Sequence, residues 1–362
     1  MNYAVILAGG IGSRFWPLSR DLEPKQFLNI CSTRPMVDET ANRISSLIKK
    51  ENIYIATNKL HVKKIKNCLR NFNIPLKNVL SEPESKNTLA PIAFLSSRIN
   101  KIDPDAVIVI LPCDHIIKQK DKFLKLLKRA LDIAKQGYIV TLGVHPKRPE
   151  TGYGYIKIKS KISAIKIGGF AKKFGEKIQN PKIYKVDKYI EKPGLVRAKG
   201  FIKDKRYYWN SGIFIFRADV ILDEIKKFMP NVHKTIADIK NKKDLKRLWH
   251  KLPSLSVDYA IMEKTKRMAL LPADYGWLDI GSWQAIEEIL KKDKYGNIFR
   301  GNCISIENKN TLIWSDKRLV AALGLKDIII VNTKDALLVC SKDKTQDVKK
   351  VVQILKQRIS KN

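Results

Sequence analysis

Four side chains in this 362-residue sequence have types and settings suited to chemistry on phosphate: Arg14, Lys25, Asp114 and Asp279. Arg14 follows "LAGGIG", an apolar run broken by Gly9, Gly10 and Gly12. A glycine turn exposes backbone N–H groups that cradle phosphate, and a guanidinium bridges phosphate oxygens in a bidentate fork. Lys25, in "EPKQF" eleven residues on, adds a second cation to the same connection. Asp114 ends the buried run "VIVILPCDH", and Asp279 lies in "DYGWLDIGSW" just before a helical pattern. Mg²⁺ is commonly held by one or two carboxylates together with substrate phosphates. A phosphate loop with two such carboxylates points to metal-assisted chemistry on a nucleoside triphosphate. Each aspartate also suits a helix N-cap, a purely structural use.

Other phosphate loops do not fit. A dinucleotide fingerprint starting at Gly10 and Gly12 needs its third glycine where Phe15 stands, and a P-loop needs a Gly-Lys-Ser/Thr ending, but the first lysine is Lys25. His115 is read as a packed, hydrogen-bonded side chain, because an anionic phosphate nucleophile needs no proton removed. No G-x-S-x-G elbow marks a hydrolase.

These residues must be positioned by the elements around them. "YAVILA", "NIYIAT", "AVIVILPCD", "YIVTLGV" and "GIFIFRA" read as strands, and "MVDETANRISSLIKK", "TLAPIAFLSSRINKI" and "DKFLKLLKRALDIAKQ" as helices between them. The alternation predicts an α/β, Rossmann-like mixed, mainly parallel sheet flanked by helices, with ligands at the carboxyl ends of the strands. After a further helix pattern, "SWQAIEEILKK", come the short β-type runs "NCISIEN", "TLIWSD", "LVAALGL", "DIIIVNT" and "ALLVCS", then the basic helix "DVKKVVQILKQRI". The expected division is residues 1–290 for catalysis and 291–362 for a small β-rich domain ending in a helix.

Composition narrows the class. The net charge of +35 is the footprint expected of a nucleic-acid binder. Over residues 1–40, however, Arg14, Arg20, Lys25 and Arg34 are balanced by Asp21, Glu23, Asp38 and Glu39. The excess sits in segments such as "NKLHVKKIKNCLR", which read as solvated helix faces, so no nucleic-acid partner is expected. The five scattered cysteines, Cys31, Cys68, Cys113, Cys303 and Cys340, read as reduced thiols. With no secretory signal and no run of about 20 apolar residues, the expectation is a cytoplasmic protein without a membrane partner.

The motifs resemble the mannose-1-phosphate guanylyltransferases, or GDP-mannose pyrophosphorylases, of the sugar-nucleotidyltransferase superfamily. "LAGGIGSRFWPLSR" with "PKQF" is similar to the signature loop, with Ser13 and Phe15 where Thr and Leu are usual. "SEPESKNTLAPIA" carries Lys86 for the usual Arg, and "LPCDH" carries Cys113 for the common Ser. "RPETGYGYI", "YIEKPG", "YYWNSGIFIF", "SVDYAIMEKT" and "WLDIGSW" follow in the family's order.

The resemblance implies that GMP passes from GTP to mannose 1-phosphate by direct attack on the α-phosphate, with Mg²⁺ as cofactor held by Asp114 and Asp279. It implies that Ala8, Gly9, Gly10, Gly12, Ser13 and Arg14 bind the triphosphate, Lys25 neutralises charge at the α-phosphate, and Glu82 and Asn87 meet the nucleoside. Gly152, Gly154, Glu191, Lys192 and Asn210 would bind the sugar phosphate. A transferase without the isomerase domain of longer relatives is implied, and a homodimer is compatible with it. The same motifs would suit another sugar 1-phosphate, such as a heptose or glucose, another NTP, or a catalytically silent regulatory relative.

Overall fold

The computed structural model describes residues 1–359 save 11, 31, 73 and 163–181, so Ile11 and Cys31 lie outside the described residues. Two compact units divide the chain: Met1–Gly9, Thr40–Cys113 and Ile117–Trp277 form the larger, and Gly10–Glu39, Asp114–Ile116 and Leu278–Asn362 the smaller.

The larger unit is built on a nine-stranded sheet. Its strands are β1 Asn2–Leu7, β2 Ile53–Asn58, β3 Val79–Glu82, β4 Val107–Pro112, β6 Ile139–Val144, β7 Tyr155–Lys161, β8 Tyr184–Ile190, β9 Tyr207–Arg217 and β10 Met268–Ala273, in the order β3-β2-β1-β4-β9-β6-β10-β8-β7. β1 to β4 pair in parallel, as do β6 and β10, while β9 runs antiparallel to β4 and β6, making the sheet mixed. β1, β2, β4 and β6 match the apolar runs of the sequence because both faces of each are covered. Ala4, Val5 and Ile6 of β1 are fully buried. The helices Leu89–Ile102 and Lys120–Ala134 fall where their periodicity placed them, whereas the helix beginning at Met36 ends early, at Ile44.

The smaller unit holds β12 Ile298–Arg300, β13 Cys303–Ile306, β14 Leu312–Ser315, β15 Val320–Leu323, β16 Ile328–Asn332 and β17 Leu337–Ser341, followed by the helix Val348–Ile359. β12, β14 and β16 pair in parallel, as do β13 and β15, giving successive coils of a β-helix. Residues stack in register, Ile298 on Leu312 on Ile329. Buried Asn308 ties the coils by donating from Nδ2 to the Ala322 carbonyl at 2.7 Å. The helix expected over 282–292 spans only Trp283–Ile286. Phe15, Ile30, Met36, Ile280 and Trp283 share one apolar core with Leu312, Ile329, Val331 and Val348, so the loop of residues 10–39 packs with the β-coils.

Candidate active site

Arg14, Lys25, Asp114 and Asp279, the four residues expected to act on phosphate, all belong to the smaller unit. Gly12 has φ +70°, a left-handed conformation that starts the short 3₁₀ turn Ser13–Phe15. A Cβ on Gly12 would stand 2.6 Å from the Lys25 Cβ, so the glycine both makes the turn and admits the lysine stem. Pro24 precedes the turn Lys25–Phe27, and Lys25 is only 7% exposed. Its ammonium lies 5.5 Å over the Phe15 ring, donates to the Ile280 carbonyl and pairs with Asp114 Oδ2 at 2.7 Å.

Asp114 follows the end of β4 by two residues, and Asp279 closes β11 Trp277–Asp279, which pairs with β5 His115–Ile117. The Ile280 N–H donates to the Asp114 carbonyl at 3.3 Å and ties the two turns together. Burial alone would raise the Asp114 pKa, yet the charges of Lys25 and His115 hold it below the ordinary 3.8. Asp279 goes the other way: burial and the negative charge of Asp114 push it up, against the opposing charges of Lys25, His115 and Arg14. Two carboxylates that resist joint ionisation are the donor set a divalent cation relieves, so these residues fit the implied metal. Among the described residues the buried Nε of Arg14 meets no hydrogen-bond acceptor, which suits a side chain that awaits an anion.

The residues expected to meet the nucleoside and the sugar, with Ala8 and Gly9, belong to the larger unit. The Ala8 N–H donates to the Ala56 carbonyl at 2.8 Å, and Thr57 Oγ1 donates to the Ala8 carbonyl at 2.9 Å, anchoring the loop's start on β2. A Cβ on Gly9 would approach Glu82 Oε1 to 3.1 Å, so the glycine makes room for that carboxyl. Glu82, the last residue of β3, is buried, and desolvation pushes its pKa up to about 7. Asn87 is exposed with φ 60°, and its Oδ1 accepts from the Thr88 N–H at 2.9 Å at the start of the helix Leu89–Ile102.

The residues expected on the sugar side converge on a polar cluster. Asn210 sits inside β9, where its N–H donates to the Gly154 carbonyl at 2.8 Å. Its Nδ2 donates to the Tyr189 hydroxyl at 2.6 Å and to Asp258 Oδ1 at 3.3 Å, while its Oδ1 accepts from the Gly212 N–H at 3.0 Å and from Thr141 Oγ1 at 3.3 Å. The amide is thereby fully used within the protein and acts as a strut for its neighbours. Tyr189 donates to Asp258 Oδ1 at 2.6 Å, with Glu191 Oε2 at 3.3 Å. The Glu191 N–H donates to Glu263 Oε1 at 3.0 Å, and Lys192, at φ 46°, ion-pairs with Glu191. Burial first, then the charge of Asp258, raises the Glu191 pKa. A Cβ on Gly154 would come within 2.5 Å of Glu191 Oε2, so its glycine serves the carboxylate directly. Gly152 donates its N–H to Glu150 Oε1 at 3.1 Å.

Tyr189, Asp258, Glu263 and Thr141 were not among the sequence candidates. Asp258 and Glu263 lie in the quoted motif "SVDYAIMEKT", and Asp258 opens a π-helical turn, Asp258–Met262, an irregularity frequent at functional sites. Tyr189 opens the quoted motif "YIEKPG" but was not singled out within it, and Thr141 gave no signal, being an ordinary residue of a strand.

Comparison with known proteins identifies the lineage. The family pattern described as "Nucleotidyl transferase" matches residues 3–295, and the one described as "MannoseP isomerase/GMP-like beta-helix domain" matches residues 301–355. The mannose-1-phosphate guanylyltransferase 2 of Escherichia coli O157:H7 is 38% identical over 363 residues, covering 98% of this chain and 73% of its own. The mannose-1-phosphate guanylyltransferase of Klebsiella pneumoniae is 37% identical over 365 residues, covering 99% and 74%. A crystal structure from Thermus thermophilus, described as a mannose-1-phosphate geranyltransferase, superposes with a TM-score of 0.85 at 27% identity over 98% of this chain and 99% of that one. The two family matches, one after the other over nearly the whole sequence, and the identity with such relatives place this chain in the nucleotidyl transferase family, among the mannose-1-phosphate guanylyltransferases.

Proposed function

We propose that the protein transfers GMP from GTP to mannose 1-phosphate, releasing pyrophosphate and forming GDP-mannose. The observation that carries the reading is the cluster of Lys25, Asp114 and Asp279 behind the Gly12 turn, in a chain that shares more than a third of its residues with mannose-1-phosphate guanylyltransferases.

A sugar-phosphate oxygen attacks the α-phosphorus in line and pyrophosphate leaves from the opposite side. The nucleophile is already an anion, so positioning and charge neutralisation carry the rate. Arg14 binds the β- and γ-phosphates through its fork, and the N–H groups around Gly9, Gly10, Gly12 and Ser13 cradle them. Lys25 answers the charge that develops at the α-phosphate, where a preorganised cation is worth about 10²–10³ in rate. Asp114 and Asp279 would hold Mg²⁺, which when bound supplies Lewis-acid stabilisation of the phosphoryl oxygens. Glu82 and Asn87 meet the nucleoside. Glu191 orients the sugar hydroxyls, Asn210 braces Glu191 through Tyr189, and Lys192 swings from Glu191 to the sugar phosphate. Residues 1–290 supply these groups, and 291–362 supply the β-coils against which residues 10–39 pack.

Pyrophosphate release with Mg²⁺, run for mannose 1-phosphate and glucose 1-phosphate against GTP, ATP, UTP and dTTP, tests the assignment. Release confined to mannose 1-phosphate with GTP is the expected outcome. A different productive pair would replace the substrate and keep the mechanism, and silence from folded protein would overturn the enzymatic reading.

A further inference from the structure

Asp114 and Asp279 have a third neighbour. His115 follows Asp114 directly, opens β5 and is 7% exposed. Its Nε2 stands 4.0 Å from Asp114 Oδ1, too far for a hydrogen bond between them. One ligand atom from each of Asp114, His115 and Asp279 lies within 4.8 Å of the other two. Among the described residues no other three His, Cys, Asp or Glu side chains meet in this way, although the chain has 35 acidic residues and five histidines.

We infer that His115 is a third protein ligand of the divalent cation, making the site a two-carboxylate, one-imidazole centre. The inference rests on the reading of Asp114 and Asp279 as a cation site. Donor atoms about 2.1 Å from one ion stand about 3 Å apart in cis positions and about 4.2 Å apart in trans positions. The 4.0 Å between imidazole and carboxylate falls inside that span, so both reach one ion with little more than side-chain adjustment. The two oxygens of Asp114 divide the work: Oδ2 takes the Lys25 ammonium at 2.7 Å, and Oδ1 is the oxygen measured against His115. The pairing of β5 with β11 fixes the spacing, because His115 and Asp279 are carried on the two strands of one ladder.

The chemical consequence is a change of metal class. Mg²⁺ favours oxygen donors, whereas an imidazole nitrogen raises affinity along the first-row transition series, in which Mn²⁺ is the weakest member. The site therefore accepts Mn²⁺ or Co²⁺ in preference to Mg²⁺ by a margin that depends on His115.

Mn²⁺ added to the full-length protein, followed by titration calorimetry and by pulsed electron paramagnetic resonance for directly bound nitrogen, tests this. Wild-type protein should show ¹⁴N coupling that becomes ¹⁵N coupling after labelling with ¹⁵N-histidine. His115→Gln should abolish the coupling and weaken Mn²⁺ binding by about 10–100-fold, at least the loss seen when an outer-shell partner of a ligand is removed, with a smaller loss for Mg²⁺. Mn²⁺ that binds, weakens in Asp279→Asn and shows no nitrogen coupling would overturn the imidazole ligand while leaving the carboxylate site intact. Mn²⁺ that does not bind, or binds equally well to Asp279→Asn, would overturn both. The wild-type spectrum decides the matter even if His115→Gln does not fold.

Discussion

At the scale of single residues, the structure converts roles into measurable contributions. Lys25→Met keeps the apolar stem beside Gly12 and Phe15 and removes only the cation, so turnover should fall about 10²–10³-fold while the protein stays folded. Steady-state kinetics alongside circular dichroism checks this, and normal turnover would remove Lys25 from the mechanism. Gly154→Ala forces the Glu191 carboxylate away from its place, since the new Cβ would stand 2.5 Å from Oε2. The KM for the sugar phosphate should rise by roughly tenfold or more, with the KM for GTP nearly unchanged, because misplacements near 1 Å cost up to about 10²-fold. Glu82 supplies a pH signature. Its carboxyl ionises at the ordinary 4.5 in the unfolded chain and at about 7 when buried, so its contribution to stability is fully present below pH 4.5 and is lost as pH rises through 7. The difference is worth about 3 kcal/mol. Glu82→Gln should therefore be more stable than wild type at pH 8 and similar to it near pH 4.5, read from urea midpoints, and parallel pH profiles would contradict the buried carboxyl.

At the scale of elements, the loop of residues 10–39 depends on the β-coils. Phe15 is fully buried against Trp283, ring centroids 5.4 Å apart, in the core that includes Leu312, Ile329 and Val348. Phe15→Ala should cost about 3–5 kcal/mol of stability and lower turnover as well, because the ring also lies beneath the Lys25 ammonium. Unchanged turnover in the folded variant would separate the core from the chemistry. The strands were legible because β1, β2, β4 and β6 are continuous apolar runs ended by turn residues, and the β-coils because each run is short and bounded. The helix pattern over 282–292 misled because the chain leaves the helix after Ile286 and Glu287 turns to ion-pair with Lys292 and Lys342. Residue type and position after strands singled out Arg14, Lys25, Asp114 and Asp279, which the smaller unit holds together. The polar cluster around Asn210 was only half legible: Thr141, Tyr189 and Asp258 come from segments far apart in sequence, and only the folding of β6, β8 and the π-helical turn Asp258–Met262 around β9 brings them to Asn210. The approach of the Lys25 stem to Gly12 had no sequence signal, since it depends on one backbone angle.

At the scale of the whole molecule, the +35 charge acts on anionic substrates as a long-range field. The kcat/KM for GTP should fall with added salt more steeply than kcat, as measured across an ionic-strength series, and a flat series would leave the charge without a kinetic role. Among the described residues no helix is long and apolar enough to cross a membrane. Family matches span both the α/β region and the β-helix. In the proposed function, the loop and carboxylates join GTP to mannose 1-phosphate. The most direct test is product analysis of the purified protein with GTP, mannose 1-phosphate and Mg²⁺. Equimolar GDP-mannose and pyrophosphate, lost together in Asp279→Asn, is the predicted result, and folded wild-type protein that forms neither product would contradict it.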